Sequence, residues 1–252
     1  MAASAGCDAV KFQKRTIDIV YSADILKTPR DSPWGKTTRA QKEALEFGKS
    51  DYDTIDAYCK EIGIIWLASA WDFESQLFLQ QYNLPYNKVA SAMATHIRLL
   101  ELIASEKKHT FLSVGMCTYD DIDIAVQIFR DTECPLTLMH TVSSYPSSEE
   151  ELNLLAMQQL RERYGLPVGY SGHEVSVSPS LIAATLGATV LERHITLDRA
   201  MYGSDQSASL ERRGLETLVS QVRRLPLILG DGVKRITEDE NLVAKKLRYW
   251  TS

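Results

Sequence analysis

Short apolar runs alternate along this chain with stretches in which apolar residues recur every three or four positions. The first kind marks buried strands and the second amphipathic helices. Strand-like runs fall at 9–13 (AVKFQ), 64–69 (IIWLAS), 86–91 (YNKVAS), 110–115, 136–143 (LTLMHTVS), 167–171 and 189–195. Between them Ile55, Tyr58, Cys59 and Ile62 fall at i, i+3, i+4 and i+7, which predicts one helix face. The same rhythm joins Ile122, Ala125, Val126 and Phe129, and also Leu152, Leu155, Ala156 and Leu160. Further helices are expected near 72–82, 94–105 and 177–186. A last one carries Leu215, Leu218, Val219 and Val222, and Pro226 should end or kink it. Thr118 and Asp121 have the spacing of a capping box. A long polar connection through Pro29, Pro33 and Gly35 follows the first strand.

Seven βα units in strict alternation predict a parallel sheet covered by helices, one unit short of a closed TIM (β/α)8 barrel. Residues 1–6 (MAASAG) read as the last turn of a helix stopped by Gly6, so a strand and most of a helix are expected before Met1. On this reading residues 1–252 are one N-terminally truncated barrel domain with a helical tail from about 234. In that tail Lys234, Arg235, Lys245, Lys246 and Arg248 sit among apolar residues as a solvated amphipathic helix.

Composition narrows the function classes without choosing one. With 44% hydrophobic and 24% charged residues the chain is ordinary globular protein, and its net charge of −5, without a basic face or arm, argues against a nucleic-acid partner. No run approaches the ~18 apolar residues of a membrane span, and no secretory signal opens the chain. The 4 cysteines form no CxxC pair, which suits a reduced, cytoplasmic protein.

Parallel strands bring their C-terminal ends to one edge, and the polar residues there carry the chemistry. His173 and His194, 21 residues apart, end the last two strand runs around one helix. A divalent metal between them is one reading, favoured by Glu174, Glu192 and Asp205 nearby; second-layer histidines hydrogen-bonded to the scaffold are the other. Lys11, Gln13, Ser69, Lys88, Ser91, Ser113, Ser143 and Tyr145 fall at the other strand ends, with Ser171 and Glu192 beside the two histidines on theirs. Lysines and short hydroxyls converging on one mouth suit a phosphate or a carboxylate, although a strand-end serine also serves simply by bonding backbone. Lys88, inside a strand, needs a buried counter-charge or an anionic ligand. Asp205 either caps a turn or faces a ligand hydroxyl.

The segments KFQK (11–14), LEFG (45–48), KVAS (88–91), LSVGM (112–116), TVSSYP (141–146), GYSGHE (169–174), LERHITLD (191–198) and GSDQSAS (203–209) closely resemble the sialic acid synthase (N-acetylneuraminate synthase) family. The resemblance runs over nearly the whole chain. It implies a TIM barrel that condenses phosphoenolpyruvate with an N-acetylmannosamine-type sugar, giving a nine-carbon 2-keto acid and phosphate. It also implies a divalent metal, Mn2+ or Mg2+, on His173 and His194. By the same resemblance, Lys88, Ser69, Ser91, Ser113 and Ser171 form the phosphoenolpyruvate pocket, with Lys11 and Gln13 beside it. Tyr145 and Asp205 face the sugar, and Ser143 replaces an asparagine or serine there.

Members of this family usually carry a following antifreeze-like domain that reaches into the partner's active site within a dimer; a homodimer is therefore expected, but this chain shows no such domain. The family's EIG-type first strand has no match either. The usual GSG reads Ala90-Ser91-Ala92, and threonine is common where Ser69 stands. A non-catalytic barrel that binds metal or phosphosugar is the alternative reading.

Overall fold

The computed structural model describes residues 1–251. A single helical turn, α1 (Ala2–Ala5), is stopped by Gly6 at φ 84°, where the Gly6 and Cys7 N–H groups reach back to the Ala3 and Ala2 carbonyls. After β1 (Ala9–Lys14) come α2 (Ile17–Val20), α3 (Ala23–Lys27), the antiparallel hairpin β2 (Pro29–Ser32) and β3 (Gly35–Thr37), then α4 (Thr38–Leu45) and α5 (Lys49–Ile62). From there strand and helix alternate: β4 (Ile65–Ala70), α6 (Phe73–Leu79), β5 (Tyr86–Val89), α7 (Ile97–Ser105), β6 (His109–Ser113), α8 (Tyr119–Asp131), β7 (Leu136–His140) and α9 (Ala156–Tyr164). The chain closes with β8 (Val168–Gly172), α10 (Ser178–Thr185), β9 (Leu191–Arg193), α11 (Arg212–Leu229) and α12 (Glu238–Leu247). No described helix is long and apolar enough to cross a membrane.

The main sheet has 7 strands in the order β1-β4-β5-β6-β7-β8-β9. All its pairings are parallel. Laid flat, six strand spacings would separate β1 from β9 by about 29 Å. Yet the Lys11 ammonium on β1 lies 2.8 Å from the Glu192 carboxylate on β9. The sheet therefore curls until its two edges face each other, joined by side chains and not by a backbone ladder. The seven parallel strands expected from the sequence are all present, and among the described residues they form a curled half-barrel rather than a ring closed by backbone pairing.

Alternation of side chains across the strands sorts the two faces. Val89, Leu112, Leu138 and Val168 stand in one row of the register and are fully buried against the helices, where Leu99, Ile103 and Phe129 meet them. That row is the apolar core, and burying each such side chain contributes about 1.5–3 kcal/mol. The inner face is more polar and is crowded near its base. A Cβ on Gly169 would fall 2.5 Å from the Met139 sulfur, so glycine lets Met139 fill the space.

Two expected helix faces need correcting. In α5 the buried anchor is Tyr52, ringed by Phe47, Trp66, Phe78 and Tyr82, while Tyr58 is 57% exposed. The apolar spacing fitted a face rotated from the one the aromatic cluster pulled inward. Leu155 is 65% exposed because α9 starts only after it, and Met157 takes the inner position. Pro226 does not end α11, which continues to Leu229 and stops at Gly230. The polar connection after β1 is not bare loop but holds α2, α3 and the β2–β3 hairpin. The capping box at Thr118 and Asp121 forms as expected. The tail helix α12 forms too, capped by Thr237 and Glu240 and without a buried residue.

Candidate active site

The C-terminal ends of the parallel strands open on one cavity of about 190 Å³, several times the ~30 Å³ share of a water molecule. Lys11, Gln13, Lys88, Ser91, Ser113, Ser143, Tyr145, Ser171, His173, Glu192 and His194 all line it. Residues from seven strands and their following loops thus meet although up to 183 positions separate Lys11 from His194. Ser69 lies fully buried beneath the lining, and Asp205 stands at the rim near His194.

One wall is cationic. Lys88 is 2% exposed, and its ammonium donates to Ser113 Oγ at 2.6 Å and to the Val89 carbonyl at 2.8 Å. The nearest carboxylate, Glu192, stays 3.9 Å away because its other oxygen is bonded to Lys11. Burial, with Lys11 adding to it, pulls the Lys88 pKa down to about 8 against the attraction of Glu192. Burial alone would raise the Glu192 carboxyl, but Lys11 and Lys88 hold it at about 2.

Ser69 pairs in register with Lys88 on one side and Gln13 on the other, and its buried hydroxyl has no partner. Ser91 Oγ accepts the Gly115 N–H at 3.1 Å. Gly115 must be glycine here: a Cβ would come within 2.5 Å of Ser143 Oγ and 2.9 Å of the Thr141 methyl.

The facing wall is built from imidazoles. The His173 and His194 ring centroids are 5.2 Å apart, and the Tyr145 ring lies 4.1 Å from His173 and 5.7 Å from His194. His173 Nδ1 sits 2.6 Å from the Val142 carbonyl, so Nδ1 carries the proton and Nε2 keeps a lone pair. Burial lowers the pKa of both rings. His194 falls to about 4, where burial is reinforced by Lys11 and His173. Both are therefore neutral near pH 7. Asp205 Oδ2 is 3.7 Å from His194 Nδ1. Burial, with Asp205 and Glu192, pushes the Tyr145 phenol up to about 12, so it remains a hydroxyl donor.

Two neutral imidazoles, one oriented by a backbone carbonyl, are the donor type a divalent ion takes for part of its shell. No set of three or more His, Cys, Asp or Glu residues suited to a metal occurs among the described residues. An ion held by this pair would take its remaining positions from water or substrate oxygen. Glu174, expected near this pair, is instead fully buried and tied to Arg193 at 2.9 Å, with Tyr170 donating to it at 2.8 Å. A buried arginine on the outer face of β9 drew it away from the mouth. Sequence reasoning missed Trp71, Thr141 and Met116, which also line the cavity. For Trp71 the signal was present, since it lies two positions beyond Ser69 and shares its face.

Residues 1–234 match the sequence model of the NeuB family. The chain is 37% identical over 252 residues to the N-acetylneuraminate-9-phosphate synthase of Drosophila melanogaster, an alignment that spans 96% of this chain and 68% of that protein. It is 33% identical to the N,N'-diacetyllegionaminic acid synthase of Campylobacter jejuni, over 98% of this chain and 77% of the relative. Among solved structures it resembles the N-acetylneuraminic acid synthetase of Leptospira borgpetersenii in complex with citrate. The TM-score is 0.83 at 30% identity, covering 98% of this chain and 84% of the other.

Proposed function

The chain belongs to the NeuB family of sialic acid synthases, and from that premise we propose that it condenses phosphoenolpyruvate with N-acetylmannosamine or a related N-acetylhexosamine, releasing phosphate and a sialic (nonulosonic) acid. The observation that carries this reading is the facing of two walls across one cavity. An underpaired buried ammonium among hydroxyls stands opposite two neutral imidazoles.

In this reading Lys88, with Ser69, Ser91, Ser113 and Ser171, holds the phosphate of phosphoenolpyruvate. Lys11 and Gln13 lie beside its carboxylate, and Glu192 keeps both lysines in place. Tyr145, Ser143 and Asp205 face the sugar. A divalent ion, Mn2+ or Mg2+, held by His173 and His194 would polarise the sugar carbonyl.

Carbon 3 of phosphoenolpyruvate bonds to the sugar C1, and the former aldehyde oxygen takes a proton on the side where Asp205 stands 3.7 Å from His194. Water adds at C2 and gives up one proton, balancing the one taken by the aldehyde oxygen; the C2–O bond to phosphate then breaks, the remaining hydroxyl proton leaving with the phosphate, to give the ketone. Holding both substrates in line and stabilising the leaving phosphate lowers the barrier through proximity and preorganised charge.

Three carbons are added ahead of the acceptor's C1, so carbon 9 of the product is carbon 6 of the acceptor. A synthase named for a 9-phosphate product implies an acceptor phosphorylated at that carbon. N-Acetylmannosamine and its 6-phosphate are therefore both acceptors to test. Purified chain with MnCl2 and phosphoenolpyruvate should release phosphate with one of them and yield the matching keto acid by mass spectrometry. Absence of release with every N-acetylhexosamine and hexosamine 6-phosphate tried, while phosphoenolpyruvate still binds, would overturn the reading.

A further inference from the structure

The inner faces of β1 and β4 continue one step past the polar layer described above. Gln13 and Ser69 stand opposite each other, and the ladder runs on through Lys14 and Ala70 to a Trp71 N–H bond with the Lys14 carbonyl at 3.0 Å. Side chains alternate along a strand, which brings Trp71, just past β4, back to the inner face about 6.6 Å above the layer of Gln13, Ser69 and Lys88, and Arg15, just past β1, meets it there. The Arg15 guanidinium lies over the Trp71 ring, 4.1 Å from its centroid, and Nη2 donates to Gln13 Oε1. Trp71 and Gln13 line the cavity.

What this pair lacks is a counter-charge. Among the described residues no carboxylate lies within ion-pair distance of the Arg15 guanidinium. Glu46, close by, takes the Lys14 ammonium and the Arg15 backbone N–H instead. Arg15 Nε–H and Trp71 Nε1–H are both buried without a partner. Leaving buried donors unmade is costly, and an arginine fork stacked on an indole is preorganised for two parallel bonds to a phosphate. Lys88, paired in register with Ser69, belongs to the layer below.

We propose that Arg15, held by Trp71 and Gln13, selects an acceptor with an anionic end, binding the phosphate of a hexosamine 6-phosphate while phosphoenolpyruvate occupies the layer beneath. The assignment rests on the condensation proposed above. Its measure is a ratio: kcat/KM for N-acetylmannosamine 6-phosphate divided by that for N-acetylmannosamine. Arg15→Met should lower this ratio about 10- to 100-fold, the range for a lost charge-assisted hydrogen-bond pair. Arg15→Lys, which keeps the charge without the fork, should fall between, and Trp71→Phe should lower the ratio less than Arg15→Met.

An unchanged ratio in Arg15→Met, or a wild type that prefers the free sugar, would overturn the assignment while leaving the condensation standing. Should neither sugar turn over, the condensation fails, and calorimetric titration with the 6-phosphate and the free sugar still decides the role of Arg15. Tighter wild-type binding of the 6-phosphate that is lost in Arg15→Met supports it; equal binding of the two sugars refutes it.

Discussion

Glu192 and Arg193 are neighbours on β9, yet they head two buried charge systems of opposite character. Arg193 points outward to Glu174, at 2% and 0% side-chain exposure, and the pair is nearly saturated. Arg193 also donates to the Ser176 and Glu174 carbonyls and to Ser180 Oγ, and Tyr170 and Ser180 complete the carboxylate. Only Arg193 Nε is left without a partner. Glu192 points inward, bonded to Lys11 and approached by Ser171 Oγ at 3.4 Å, but 3.9 Å from Lys88, whose register neighbour Ser69 keeps an unpartnered hydroxyl. The outer system fixes β8, β9 and α10 together. The inner one keeps charge and donors in reserve, as a ligand site requires.

The sharpest way to break this comparison is to cut each system once. Arg193→Met leaves Glu174 charged and unpaired in the interior, which should destabilise the fold by about 3–5 kcal/mol in urea unfolding. Adding Glu174→Gln should recover part of the loss. Lys88→Met should weaken binding of inorganic phosphate or phosphoenolpyruvate by roughly 30-fold or more, in line with the ~2–5 kcal/mol of truncating a buried charge contact. Its unfolding midpoint should not fall, because Glu192 keeps Lys11. If both variants lost stability alike, the division between a structural and a ligand-ready pair would be wrong.

The pH response sharpens the same point. With its pKa near 8, Lys88 carries its charge below pH 8 and loses it above. Phosphate affinity should therefore decline above pH 8, by up to about tenfold per pH unit, until the pKa of the complex is reached. Ligand-free stability moves the other way. Between pH 8 and the ordinary lysine range the unfolded chain binds the extra proton, so this group's contribution to stability rises with pH. Titration curves of wild type and Lys88→Met should diverge only in that window. The smallest effect expected lies outside both systems: Thr118→Ala removes the Thr118 side-chain cap on α8 and should cost about 1 kcal/mol.

Much of this was legible before any coordinates. All seven strands were visible as apolar runs, and the placement of Lys11, Lys88, Ser113, Ser171, His173 and His194 on one edge followed from parallel strands alone. The misses have a common cause. Glu174 and Glu192 look alike in a list of acids near two histidines, and only the partner each one meets distinguishes them. Tyr58 and Leu155 fit a helical spacing, but Tyr52 and Met157 had the better neighbours. Arg15 reads as one more charge at the end of a strand until Trp71, 56 positions later, comes to lie against it.

By itself the sequence determined the alternation of strands and helices, the identity of the polar groups at the strand ends and the family to which the chain belongs, because periodicity and local chemistry are written residue by residue. The curl that brings β1 to β9, the depth that shifts Lys88 and His194, and the pairing that withdraws Glu174 were decided only in three dimensions. Burial and distance set the strength of a charge, and both depend on residues far away along the chain.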